Sequence, residues 1–219
     1  MRAAMKRPRI LGISGGIASG KSQVTRILES HGAKIIHADR IGHDVLQLPH
    51  VQIALTELFG NSILTTHDPA NLSPPSIDRK QLAKLVFGNS DQATSRRKQL
   101  EALTHPLIRQ RIREEIDAAV AENIVDWIVL DIPLLHESSW DKSCDVVWFI
   151  DADDSIRLER ALQRGWSESD FRLREASQWP VERKRANANL VILNNGSLDS
   201  LTSAVEDALK QSSLTPFRL

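Results

Sequence analysis

Four residues set the chemistry to look for. Gly15, Gly20, Lys21 and Ser22, within Gly-Gly-Ile-Ala-Ser-Gly-Lys-Ser (15–22), follow the spacing G-x-x-x-x-G-K-[S/T]. That spacing suits a polyphosphate. The glycines let backbone N–H groups turn inward around anionic oxygens. Lys21 reaches the β- and γ-phosphates, and Ser22 offers its hydroxyl to Mg²⁺. The helix that starts here points its positive end at the same anions. A dinucleotide fingerprint is a poor alternative, because no two glycines of this region sit two apart. No flavin or nicotinamide is expected.

Two carboxylates and two arginines are further candidates. Asp39 ends an apolar run that reads as the strand beside the phosphate-loop strand. It could take a proton from an acceptor hydroxyl or orient Mg²⁺, and it could equally cap the helix that starts near Ile41. Asp131 closes another apolar run and could hold Mg²⁺ directly or through water, or simply be a strand-end aspartate. Arg160 and Arg164, at i and i+4, could clamp phosphates from one helix face or form a solvated charged face. The seven histidines include no H-E-x-x-H, since His136-Glu137 lacks the second histidine. No zinc is expected. The single cysteine, Cys144, excludes an internal disulfide and suits a reducing compartment.

These residues need elements to hold them. Arg9–Ser14, Ala33–His37, Asp126–Asp131, Asp145–Asp151 and Leu190–Leu193 are short apolar runs separated by helical patterns. That order predicts a five-stranded parallel sheet with helices on both faces, an α/β fold of the phosphate-loop nucleoside triphosphate hydrolase and nucleotide kinase kind. The first two strands with their helix form a βαβ unit. No strand signal falls between 41 and 122. Residues 41–60, 77–87 and 100–116 read as helical, with a break and cap at Asn89-Ser90-Asp91, Pro106 starting or kinking a helix, and 61–76 as loop. The expected organisation is a nucleotide-binding core of 9–40, 123–159 and 188–211, a helical insertion of 41–122, and a charged segment of 160–187. The first and last eight residues read as loose ends.

The 28 Lys and Arg balance the 28 Asp and Glu, which gives no argument for nucleic acid or a membrane surface. No apolar run approaches about 18 residues, so no membrane span is expected. The N-terminus lacks the apolar region of a secretory signal. A cytoplasmic protein is expected. The sequence does not give the oligomeric state, with a monomer the default expectation.

Several segments together resemble the dephospho-coenzyme A kinase family, from about Ile10 to Leu209. They are the loop at 15–22, Ala38-Asp39, Ile77-Asp78-Arg79, Val86-Phe87 and Leu100–Ile108 with its His105-Pro106. Asp131–Glu137, Arg160 with Arg164, and Asn194-Asn195-Gly196 complete the set. The resemblance implies ATP-dependent phosphorylation of the ribose 3′-hydroxyl of dephospho-coenzyme A, with Mg²⁺ accompanying ATP. It implies that 41–122 is the acceptor domain and 160–187 a lid. By position, Asp39 is the catalytic aspartate, and Ala18, Ser19, Gly20, Lys21, Ser22 and Gln23 hold the ATP phosphates. Arg160 and Arg164 are the lid-side arginines. His105, Pro133, Leu134 and Glu137 border the acceptor, and Asn195 the adenine end. The chain departs from the family pattern at Gln23 (usually Thr), His37 (often Asp), Asn189 and Leu193 (usually acids), and in a longer loop at 64–77. Other readings of the same loop are a kinase of a nucleoside monophosphate or shikimate, a GTP switch (which wants an Asn-Lys-x-Asp motif that the chain lacks) and an inactive nucleotide-binding regulator.

Overall fold

The computed structural model describes residues 7–65, 76–88 and 90–213. Its strands β1 (Arg9–Gly15), β2 (Lys34–His37), β3 (Trp127–Asp131), β4 (Val146–Asp151) and β5 (Leu190–Leu193) form one parallel sheet in the order β2-β3-β1-β4-β5. Helix α1 (Lys21–Ser30) follows β1, and α2 (Ala38–Leu46), α3 (Pro49–Phe59), α4 (Arg79–Val86) and α5 (Asp91–Glu122) fill the stretch between β2 and β3. Then α6 (Asp154–Gln163), α7 (Glu168–Ala176) and α8 (Val181–Ala186) lie between β4 and β5, and α9 (Leu198–Ser213) follows β5. All five expected strands form and all pair in parallel.

One expectation about their order fails. The strand leading to Asp39 is not beside β1, because β3 lies between them, with His37 in register with Asp131. Hydrophobicity explains the choice. All but the last residue of β3 are buried, so it belongs inside a parallel sheet. β2 is four residues long, opens on an exposed lysine, and suits an edge.

The core lies where β1, β3, β4 and β5 meet α1 and α9. Leu11, Ile13, Val129, Trp148 and Ile192 from the sheet pack with Val24, Leu28, Leu201 and Val205 from the two helices. Helix α8 packs against β1 and β4.

Chain contacts divide the protein into two units, with boundaries at His37/Ala38 and Glu114/Glu115. The first unit carries the sheet and includes residues 160–187; the second is the insertion. Inside the insertion, the stretch expected as one helix over 41–60 is two. Pro49 opens α3 as its first residue, a position that suits its fixed φ and missing N–H, and Gly60 (φ 80°) ends it. Asp78 caps α4, accepting from Lys80 N at 2.8 Å and Gln81 N at 3.2 Å. Pro106 neither starts nor divides a helix, for α5 continues through it over 32 residues. An antiparallel bridge between Leu64 and Ile77 is the one extended pairing among the described residues of a block expected to be all helical. The long loop falls mostly on 66–75 and the expected break partly on Asn89, both outside the described residues, as are 1–6 and 214–219.

Neither expected loose end is loose where it is described. Arg7 forms a two-pronged ion pair with Asp145, at 2.9 and 2.6 Å, and the same carboxylate accepts from Ile10 N at 2.9 Å. Ser212 is buried at the end of α9. Its hydroxyl accepts from the indole N–H of Trp148 at 2.9 Å, and its carbonyl from Arg9 Nη1 at 2.7 Å. Ser212→Ala would leave the buried indole N–H unpaired, at a cost of about 1–3 kcal/mol. Urea unfolding should show a lower midpoint at unchanged slope; an unaltered midpoint would show that this contact contributes nothing.

Candidate active site

β1 occupies the middle of the sheet. Its carboxyl end opens where successive strands depart to opposite sides, the position at which open α/β sheets collect ligands. The chain leaves β1 at Gly15 and becomes helical at Lys21. Between them Ala18 (φ 58°) and Gly20 (φ 99°) take left-handed conformations. Successive N–H groups in such a turn face one concavity. A residue other than glycine held there costs on the order of 1–3 kcal/mol, a strain that concentrates at ligand clamps. Helix α1 has no side-chain cap and no acidic residue in its first turn, so its leading N–H groups are left for an anion. Ser22 and Gln23 are exposed in that turn.

The outer side of the loop is tied down. The Ser19 carbonyl accepts from Asn194 Nδ2 at 2.7 Å and from Arg160 Nη1 at 3.4 Å, while Arg160 Nη2 reaches the Asn194 carbonyl at 2.9 Å. Gly20 has no room for a side chain: a Cβ there would stand 2.0 Å from Asn194 Nδ2. Over Gly16 the space is taken by Arg157, whose Nη1 would be 2.8 Å from a Cβ.

Three further cations converge on this loop beside Arg160, with different partners. Arg157 is buried, paired with Asp154 at 2.9 Å and with Glu175, and lies over the Phe171 ring. Lys184 is buried against Glu137 at 3.1 Å and Gln178 at 2.7 Å. Lys21 instead donates to the carbonyls of Gly15 at 3.1 Å and Gly16 at 2.9 Å. Burial, and then the nearby Lys184 charge, lower its pKa to about 8. Asp131 pulls the other way, and Arg157 and Arg164 add to the lowering. Arg164 is exposed just beyond the end of α6.

The carboxylates divide. Asp131, at the end of β3, accepts from or pairs with His37 Nδ1 at 3.0 Å. Asp39 lies in the second unit. It is not an N-cap, because α2 already begins at Ala38; it is exposed in the first turn. His105 is exposed on α5 in the same unit. Pro133 and Leu134 are exposed on the loop after β3. Glu137 on that loop is largely buried, with Oε1 accepting from Trp179 N at 2.8 Å and Oε2 buried with no hydrogen-bond partner among the described residues. Burial alone would raise its pKa, but the Trp179 N–H and Lys184 outweigh it and hold the group below the usual range. The Asn195 side chain accepts from Asp153 N at 2.9 Å, bracing the start of α6. Asn189, where an acid was expected, accepts from Val147 N at 2.8 Å and so extends the β4–β5 pairing.

The structure thus gathers Gly15, Ala18, Ser19, Gly20, Lys21 and Arg160 around one loop and leaves Ser22 and Gln23 at its mouth. Asn194, Arg157 and Lys184 belong there too and were not among the expected site residues, although Asn194 lies in the Asn194-Asn195-Gly196 segment, where the role was given to Asn195. Asn194 carried a signal, being the polar residue directly after the last apolar strand. Arg157 and Lys184 carried none, because they lie among charged residues that read as solvated.

For Mg²⁺, the exposed Ser22 hydroxyl beside the loop and the Asp131 carboxylate are oxygen donors of the right kind. Among the described residues no three His, Cys, Asp or Glu converge as a metal site. That donor set fits a cation that keeps most of its shell from water and phosphate rather than from protein.

A model of the dephospho-CoA kinase family matches residues 9–200. A dephospho-CoA kinase from Parasynechococcus marenigrum (strain WH8102) is 38% identical over 200 residues, which is 90% of this chain and 93% of that one. A crystal structure of a Thermus thermophilus protein is similar over 96% of this chain and 100% of its own, with 32% identity and a TM-score of 0.74. A dephospho-CoA kinase from Campylobacter jejuni is similar over 94% of this chain and 97% of its own, with 27% identity and a TM-score of 0.66.

Lys21 makes the loop's anion affinity pH-dependent in an accessible range. Its folded pKa, about 8, lies below the ordinary 10.5, so its charge opposes folding below pH 8 and that cost fades as pH rises toward 10.5. A bound triphosphate restores the charged form. Calorimetry in two buffers of different ionisation enthalpy should show proton uptake of about half a proton per bound nucleoside triphosphate near pH 8. Uptake should vanish in Lys21→Met; equal uptake by that variant would assign the proton elsewhere.

Proposed function

Since this chain belongs to the dephospho-CoA kinase family, we propose that its phosphate loop holds the triphosphate of ATP and that the cations around it serve the transfer. The reaction is ATP-dependent phosphorylation of the ribose 3′-hydroxyl of dephospho-coenzyme A, the final step of coenzyme A biosynthesis. The observation that carries the division of roles is the loop: its positive-φ turn, its uncapped helix and a lysine whose only hydrogen bonds among the described residues are to two loop carbonyls.

Phosphoryl transfer asks little covalent work of the protein and much electrostatics. Lys21 exchanges its two carbonyls for phosphate oxygens and neutralises charge on the moving group. Arg164, exposed beyond α6, adds a second charge when segment 160–187 closes as a lid. Arg160 acts at the loop, where it already grips the Ser19 carbonyl. Ser22, with Asp131 through water, would hold Mg²⁺, which supplies charge neutralisation at the β- and γ-phosphates when bound. Asp39 draws the 3′-hydroxyl into line and accepts its proton late in the transfer. His105, Pro133, Leu134 and Glu137 contribute to the acceptor side, with 41–122 as the acceptor domain, and Asn195 to the adenine side together with Gln23 at the phosphates. We read the protein as a cytoplasmic monomer without nucleic-acid or membrane partners, in keeping with balanced charge and the absence, among the described residues, of any helix long and apolar enough to cross a membrane.

An ADP-release assay with Mg-ATP should give turnover with dephospho-coenzyme A and none with AMP, adenosine or shikimate. Asp39→Asn should lower kcat by about 10²–10⁴, the usual worth of a general base, with the KM for ATP within about twofold. Undiminished turnover by that variant would remove Asp39 from the role. Turnover with another acceptor would keep the kinase and discard the substrate.

A further inference from the structure

The loop at 15–22 is held at the Ser19 carbonyl by a buried residue of the turn after β5. Asn194 follows β5 directly and is 2% exposed. Its backbone N–H bonds to the Asp151 carbonyl at 2.7 Å, and its carbonyl accepts from Arg160. The neighbouring Asn195 braces Asp153. The Asn194 amide therefore stands on a fixed support at the end of the sheet, and it directs Nδ2 at the Ser19 carbonyl.

The consequence follows from peptide geometry. Among the described residues no peptide bond is cis. In a planar trans unit, carbonyl and N–H point in opposite directions. Drawing the Ser19 carbonyl outward to Asn194 turns the Gly20 N–H inward to the concavity of the loop. Released, the Ser19–Gly20 unit could rotate, since Gly20 tolerates many conformations. The carbonyl would then present negative charge where phosphate must bind. Gly20 also lacks space for a side chain because the same amide fills it.

We propose that Asn194 is a positioning residue for phosphoryl transfer: its buried amide, with Arg160, locks the Ser19–Gly20 peptide with its N–H toward the polyphosphate. The assignment rests on the kinase reading of the loop, and it makes the turn after β5 part of the phosphate site as well as of the nucleotide's far end. An asparagine is required rather than an aspartate, because only the amide donates to the carbonyl; a carboxylate would face it with like charge.

The test separates phosphate from base. In the ADP-release assay, inorganic tripolyphosphate occupies the loop alone and adenosine the base site alone. Asn194→Leu, nearly equal in size and without hydrogen bonds, should raise the KM for ATP and the Ki for tripolyphosphate about tenfold, the scale of one lost hydrogen bond to a buried carbonyl. The Ki for adenosine and the KM for dephospho-coenzyme A should stay within about twofold. Asn194→Asp, which keeps the shape and removes only the donor, should lose at least as much and serves if the leucine variant does not fold. Equal weakening of adenosine would make Asn194 a base contact and overturn the proposal, as would an aspartate variant with the ATP KM of the parent. If the parent chain turns over no acceptor yet shows the same split in direct binding, the acceptor assignment fails and the clamp stands.

Discussion

A peptide plane cannot turn its carbonyl and its amide to the same side, and the phosphate loop is built around that restriction. To present N–H groups inward, the loop must dispose of carbonyls outward, and an outward carbonyl in a buried setting needs a donor. Asn194 and Arg160 supply it at Ser19, and Lys21 supplies it at Gly15 and Gly16. The sheet order serves this need. β5 lies one strand beyond β4 from β1, and Asn194 at its end still reaches the Ser19 carbonyl, while α6 follows β4 closely enough for Arg160 to reach the same carbonyl.

The second constraint is electrostatic. Arg157, Lys184 and Lys21 crowd one region, and like charges there repel. Two are neutralised by fixed carboxylates: Arg157 by Asp154 and Glu175, Lys184 by Glu137. Lys21 has only carbonyl partners among the described residues, and burial followed by the nearby Lys184 charge lowers its pKa. The arrangement leaves Lys21 without a fixed carboxylate among the described residues on the loop's inner side, while Arg160 is engaged by the Ser19 and Asn194 carbonyls. Buried pairs of this kind are weak sources of stability, so their worth here lies in fixing which charge remains available.

Much of this was legible in the residues. The loop, its strand and its helix could be read because their chemistry is local: glycines where φ turns positive, a lysine next in line, an apolar run before. The five strands were equally plain, since each is a short apolar run bounded by turn residues. Strand order was not, because a βαβ crossover constrains hand and direction but does not say whether a later strand will enter between its two strands, as β3 does. The division of 41–60 into two helices turned on Pro49, whose meaning depends on whether it opens a helix or interrupts one. Arg157 and Lys184 were invisible because their burial arises from α6 and α8 folding back onto the sheet, which no periodicity in a charged stretch records. Asn189 shows the converse: it reads as a lost acid and proves to be a backbone partner of β4.

The segment before α8 also has an optical character. Trp179 stacks on His136, with centroids 5.9 Å apart and planes 9° from parallel, and its other partner is the Arg183 guanidinium, 3.4 Å from the ring centre. Its own N–H bonds to Glu137. Of the other four indoles, Trp127, Trp140 and Trp148 are buried, and Trp166, between α6 and α7, is half-buried with the Arg174 guanidinium 4.3 Å from its ring centre. An indole held between an imidazole and a cation changes its emission when either neighbour withdraws. The protein therefore carries a fluorophore where the loop after β3 meets the segment before α8, and with Trp166 replaced its emission would report on that contact without an added label.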